Sequence, residues 1–271
     1  MSVTYLYNRT AVLKVGVPGQ EGKDFTGLRI NFSVEKTSES NPNQAKIQVF
    51  NLSQASRSFV ETKGLKLVLQ VGYEPPGSKS LIETLCQGDV KKVSNELKGS
   101  DWVTTLEVGD GETALTEKTF DKTFEKGITL QKAIGEVKNS LGLASGAIAG
   151  IKDKVFKSGL TLSGGSKQLL DTLTKEGDVE WSVQDGEVQI LPPKGFTSDE
   201  VIFLSPQTGL LDSPVKREEG IEIRSLLIPK IRPGRRIQVD SSIVKGTYRI
   251  RKVTFSGDTH EGDWTARTEA I

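Results

Sequence analysis

Apolar and polar residues alternate along most of the first ~115 positions, the period-2 pattern of strands with one buried face. The run 28–36 shows it clearly, with Leu28, Ile30, Phe32 and Val34 on one face and Arg29, Asn31, Ser33 and Glu35 on the other. Residues 11–17 and 45–52 repeat it, and the turn-forming stretch 37–43 between the second and third runs predicts a hairpin with a long polar tip. Ser53 opens a helical turn over 53–60 as its N-cap. Strands follow at 66–73, 81–93 and 102–108, the first closed by Glu74-Pro75-Pro76-Gly77. Antiparallel strands in this number, with one helical turn, predict a closed or nearly closed barrel, which leaves no exposed edge.

The pattern changes near Thr119. Leu130, Ile134, Val137 and Leu141 form one helical stripe, with Thr129 placed to cap its start and Gly142 its end. A second helix runs from Ser166, read as N-cap, to Gly177, with Leu169, Leu170 and Leu173 apolar. Residues 179–184 and 187–192 alternate around Asp185-Gly186, a strong hairpin signal. Alternation returns at 220–227, 235–240, 246–257 and 264–271. The expected organisation is a β-domain over 1–117, a small α+β insert over 118–197 and a second β-domain over 198–271, with no short-period repeat.

Composition narrows the function classes. The chain has 36 Lys and Arg against 35 Asp and Glu among 271 residues, without the basic excess of a protein built to grip nucleic acid. One cysteine, Cys86, excludes an intramolecular disulfide. One histidine leaves few options for metal or nucleophile–base chemistry. The first residues carry no basic and apolar leader and no run reaches the ~20 apolar residues of a span, so a soluble protein made in a cytoplasm, without a membrane segment, is expected.

Individual candidates mostly reduce to structure. His260, in Asp258-Thr259-His260-Glu261-Gly262-Asp263, reads as a solvated hairpin tip, since no second His or Cys ligand accompanies it. Asp258 and Asp263 are the carboxylate pair that a carbohydrate-cleaving β-protein would use, although nothing fixes them across a cleft. Ser163-Gly164-Gly165-Ser166-Lys167 lacks P-loop spacing and reads as a turn. Residues 144–150 read as a small-residue linker. Trp102, Trp181 and Trp264 are expected in the core, as is Cys86 as a small filler. Lys230, Arg232, Arg235 and Arg236 form the densest basic patch and are candidates for a subunit or partner interface, directed at protein carboxylates more than at DNA. No catalytic, cofactor-binding or metal-binding residue is assigned.

Together, several stretches resemble the baseplate hub proteins of contractile-tailed bacteriophages. They are the strand with Tyr248, Arg249, Ile250, Arg251, Lys252 and Val253, the run 257–264, the pair 28–36 and 45–52 ending in Asn51-Leu52-Ser53, and the helix and Trp181 hairpin of the insert. The resemblance implies two tail-tube-like antiparallel β-barrels flanking the insert. It implies a homotrimer whose pseudo-sixfold ring joins a sixfold tail-tube protein to a threefold central spike, beside other baseplate proteins, with DNA passing transiently through the lumen at ejection. No stretch is left over for a lysozyme-like segment, so murein cleavage is expected elsewhere. The expected location is the virion tail baseplate, assembled in the host bacterial cytoplasm. A sixfold tube initiator or tail-completion protein is the alternative in the same class.

Overall fold

The computed structural model describes residues 7–76, 80–198 and 200–271, so Gly77 of the expected 74–77 turn lies outside them. The N-terminal segment contributes β1 (Arg9–Gly16), β2 (Lys23–Phe25), β3 (Ile30–Thr37), β4 (Gln44–Phe50), α1 (Gln54–Val60), β5 (Lys66–Tyr73), β6 (Leu81–Lys98), β7 (Asp101–Gly109) and α2 (Glu112–Glu117). The middle segment contributes β8 (Thr119–Phe124), α3 (Leu130–Ser140), β9 (Ala144–Ile148), β10 (Leu160–Gly165), α4 (Ser166–Glu176), β11 (Glu180–Gln184) and β12 (Glu187–Leu191). The C-terminal segment adds β13 (Ile202–Leu204), β14 (Val215–Arg217), β15 (Gly220–Leu226), β16 (Arg236–Asp240), β17 (Lys245–Asp258) and β18 (Trp264–Ala270). The fold is mainly β.

Local chemistry sets these boundaries as the sequence predicts in most places. The Ser53 hydroxyl accepts from the Ser56 N–H at 3.2 Å and Thr129 does the same for Lys132, each satisfying a free N–H of a helix start. Asp185 and Gly186, with φ of 54° and 81°, make the left-handed two-residue turn that matches strand twist between β11 and β12. Two expectations fail. Gly165, not Ser166, is the N-cap of α4; the Ser166 hydroxyl is buried and bonded to that of Ser140 at 2.8 Å. Residues 144–148 are not a linker but strand β9, parallel to β12, where small side chains allow close packing.

The N- and C-terminal segments do not close separately. Their strands form one 13-stranded sheet along the path β14-β15-β18-β17-β3-β4-β7-β6-β5-β1-β2, with β16 on β17 and β13 on β16. The path is open at β14 and β2, and no closed barrel is found among the described residues. The reason is edge pairing: β3 takes the edge of β17 that a self-contained C-terminal barrel would need, from Lys252 opposite Thr37 to Asp258 opposite Asn31. One core accordingly draws on both segments, with Leu13, Phe32, Leu67 and Leu69 beside Ile250, Phe255 and Trp264. The insert has its own, built on Leu130, Ile134, Val137, Leu170, Trp181 and Ile190.

The two segments repeat one topology. The order β3-β4-β7-β6 is matched by β14-β15-β18-β17. In each, the long last strand pairs its first half with the preceding strand (β5 or β16) and its second half with the following one (β7 or β18). Even the irregularities coincide, the register shifting between Val90 and Lys92 in one and between Ile250 and Lys252 in the other. Trp102 opposite Leu97 corresponds to Trp264 opposite Gly257.

Candidate assembly site

The charged residues of interest converge where the insert meets the sheet. The β11–β12 turn inserts between the ends of β3, β7 and the 229–235 loop. Lys36 stands on the inward face of β3, one step beyond Val34 in the alternation, and its ammonium reaches both Asp185 oxygens at 2.7 Å. Its side chain is 1% exposed and that of Asp185 10%. Arg232 forms an ion pair with the same carboxylate at 3.0 Å and donates to the Thr84 carbonyl at 2.9 Å. Asp110, at the end of β7, accepts the Asp185 N–H at 2.6 Å and the Gly186 N–H at 2.8 Å. Gln87 donates to the Asp185 carbonyl, Asn43 to the Val183 carbonyl and Gln184 to the Thr37 carbonyl. The Asp185 carboxylate, its N–H and carbonyl and the Gly186 N–H are thereby answered from outside the insert, which ties the insert to the sheet.

This cluster holds two carboxylates against two cations in a largely dry place. Burial, followed by the neighbouring Asp185 charge, pushes the Asp110 carboxyl up to about 6, against the pull of Lys36. Cys86, buried nearby, is pushed up to about 12 by burial, so its thiol carries no reactive thiolate near neutrality.

Of the predicted basic patch, Arg232 therefore turns inward. Lys230 stays half exposed, 3.7 Å from Glu83 and 4.0 Å from Glu200. Arg235 donates to the Lys230 carbonyl at 3.3 Å, and Arg236 lies over the Phe196 ring, its guanidinium carbon 5.8 Å from the centroid. The acidic loop at 258–263 is structural. Asp258 is buried; burial would raise its carboxyl, but the N–H groups of His260 and Glu261 and the Arg29 guanidinium outweigh it and hold the group below the ordinary range. Asp263, on the same loop, is exposed and lies 3.6 Å from the Arg224 guanidinium, and both carboxylates border one shallow open depression beside Arg29. No group of three or more potential metal ligands occurs among the described residues. Trp181 and Trp264 are buried, but Trp102 is 37% exposed, covered by the Arg57 guanidinium 4.2 Å above its ring. A cleft of about 700 Å³ between the sheet and the insert is walled by Leu67, Val68, Gly111 and Leu143, with Asp110 at its floor committed to the turn. The arrangement holds the insert against the sheet through one buried cluster of charges.

Comparison with known proteins places the fold. The family model described as baseplate hub gp41 matches residues 12–270. The structure superposes on the 43 kDa tail protein of prophage MuSo2 from Shewanella oneidensis with a TM-score of 0.67 at 14% identity, covering 97% of this chain and 96% of that one. A tail protein from Neisseria meningitidis MC58 gives 0.64 at 8% identity, covering 97% of each chain. The E. coli c3393 protein, a type VI secretion component with structural similarity to the T4 bacteriophage tail proteins gp27 and gp5, gives 0.62 at 12% identity over 95% of this chain and 76% of that one. No curated protein sequence matches the chain significantly.

Proposed function

The chain belongs to the baseplate hub gp41 family, a family of structural tail proteins, and from that we propose that three copies close into a ring at the tail axis, joining a sixfold tube to a threefold spike. The observation that carries this reading is the duplicated topology. Each copy supplies two equivalent four-stranded layers, β3-β4-β7-β6 and β14-β15-β18-β17, so three copies supply six. A threefold assembly then offers a sixfold partner six similar faces. The functional division follows residues 1–117 and 198–271 as two tube-like units and 118–197 as the insert.

In this reading the outer face of the sheet lines the channel. It presents Ser33, Gln48, Thr105, Thr254 and Ser256, with Glu35 and Lys252 paired at 2.9 Å. Short polar side chains with balanced charge let DNA slide without the counterion-release affinity of a basic groove. The half-exposed patch of Lys230, Arg235 and Arg236, with Arg232 bracing it from behind, faces a neighbouring baseplate protein. The chain acts by assembly and not by catalysis, in the tail baseplate, after assembly in the host cytoplasm. Among the described residues no helix is long and apolar enough to cross a membrane.

A cryo-EM map of the tail that carries this chain tests the seat. The expected result is three copies around the axis between tube and spike. Six copies in one ring would replace the hub by a tube initiator, and a position off the axis would overturn the proposal.

A further inference from the structure

The sheet and the insert each bury an apolar core, and polar contacts join them. Among the described residues the two cores share no side chain, and Ala114 and Leu115 of α2 pack in the insert's core beside Leu130 and Trp181. The body so defined runs over residues 112–191. Two short connections tie it to the sheet. One is Gly109-Asp110-Gly111, in which Gly111 holds a left-handed φ of 68°. The other is the turn from Pro192 to Gly195, closed by the Gly195 N–H on the Pro192 carbonyl. The seat itself is polar at each end. At the β11–β12 tip it consists of the Asp185 cluster and of Gln184, which donates to the Thr37 carbonyl at 2.7 Å. At the base of the same hairpin Arg249, 2% exposed, donates to Glu180 at 3.1 Å and to the Pro193 carbonyl at 2.7 Å. On α2 the Thr113 N–H donates to Asp89 at 3.0 Å, and Glu112 lies 3.2 Å from Lys91.

The tip stands between two clefts. The one of about 700 Å³ is bordered by Gln87, Asp110 and Gly186, and a second of about 340 Å³ by Gln184, Arg232 and Ser145. A small void beside the same cluster is lined by Val34, Lys36, Ala45, Cys86 and Val108, at the end of the sheet's core. Two bodies with cores of their own and a polar seat between them separate at a lower free energy than either core unfolds. We propose that the insert is a lid: residues 112–191 swing away as one unit while the sheet stays folded, withdrawing the Asp185-Gly186 turn and uncovering the core end that holds Cys86. The clefts leave the tip room to move on both sides. The glycines around Asp110 and the Pro192–Gly195 turn take up the change in backbone angles, as the short connections at a hinge do. The proposal is independent of the ring, because every group it uses belongs to one copy.

The chain's one cysteine is the reporter. Buried Cys86 holds its thiol at about 12, so a thiol reagent reacts with the opened form alone. Alkylation by N-ethylmaleimide is followed by mass spectrometry in native buffer and in rising urea. The comparison is the Cys86→Ala/Val49→Cys variant: Val49 is 0% exposed in the same sheet, opposite Ile30 and so at the end of β4 away from the tip. Cys86 is expected to react at least about tenfold faster than the thiol at position 49. Its urea slope should be less than about half as steep, since the slope scales with the surface exposed. Equal rates, or equal slopes, would mean that both thiols report global unfolding, and would overturn the lid. Asp185→Asn keeps the turn and its volume but removes the charge that both cations hold, and should speed Cys86 alkylation at least about tenfold. Gln184→Ala removes one hydrogen bond of the seat and should speed it about fivefold. Circular dichroism reports folding of each variant, and if Asp185→Asn does not fold, Gln184→Ala decides alone. No acceleration in a folded variant would show that the tip is not the latch, and would overturn the proposal.

Discussion

Lys36→Met is expected to destabilise the protein by about 3–5 kcal/mol, the cost of removing one partner from a buried ion cluster. The methionine fills a similar volume, so the loss is electrostatic and not a cavity effect. Asp185 keeps Arg232, but the ammonium that reaches both its oxygens at 2.7 Å is gone, and Asp110 loses the one cation that lowers its carboxyl. The sign with pH follows. The folded Asp110 carboxyl sits at about 6 against 3.8 when unfolded, so its contribution to stability is present below about pH 4 and lost as pH rises through 6. Removing Lys36 makes ionising that carboxyl costlier still, so the penalty should be larger at pH 8 than at pH 4.5. Urea unfolding of both proteins at the two pH values measures it. An equal penalty at both, or one below 1 kcal/mol, would mean that the cluster does not hold the insert to the sheet.

Trp264→Ala is expected to cost about 3–5 kcal/mol, as truncating a large buried aromatic does. The ring is 2% exposed and meets Phe32 and Tyr73 edge-on, centroids 5.4 and 6.4 Å away. Gly257, opposite it, leaves room for Phe32: a Cβ there would lie 2.3 Å from the Phe32 ring. The duplicated topology supplies a control. Trp102 occupies the equivalent position but lies half open under Arg57, so Trp102→Ala should cost only about 1 kcal/mol, a cation–π contact and partial burial. Thermal unfolding of the two variants compares them, with the melting point of Trp264→Ala about 10 °C below the parent. Equal losses would remove the asymmetry between the two units.

How much the sequence disclosed depended on element length. Strands with five or more alternating residues, such as β3, β5 and β17, were legible because their period shows. The three-residue strands β2, β13 and β14 have too few positions for a period, and β9 is built from Ala, Ser and Gly that carry no apolar signal. Closure was misjudged for a related reason. Alternation says which face of a strand is buried but not which neighbour takes its edge, so β17 pairing with β3 was invisible. Arg232 looked like surface because its partner Asp185 lies 47 positions away in sequence. Lys36, by contrast, carried a readable signal: it continues the inward series Ile30, Phe32, Val34. The long repeat also left traces, in Val90-Lys91-Lys92-Val93 against Ile250-Arg251-Lys252-Val253 and in Asp101-Trp102 against Asp263-Trp264. A search for short periods passes over a repeat about 160 residues apart.

The most direct measurement is the mass of the purified protein by light scattering after size exclusion, over a range of concentrations. A threefold hub predicts a particle near three times the 29.5 kDa of the chain, held together more firmly as concentration rises. A monomer at every concentration, or a stable hexamer, would contradict it.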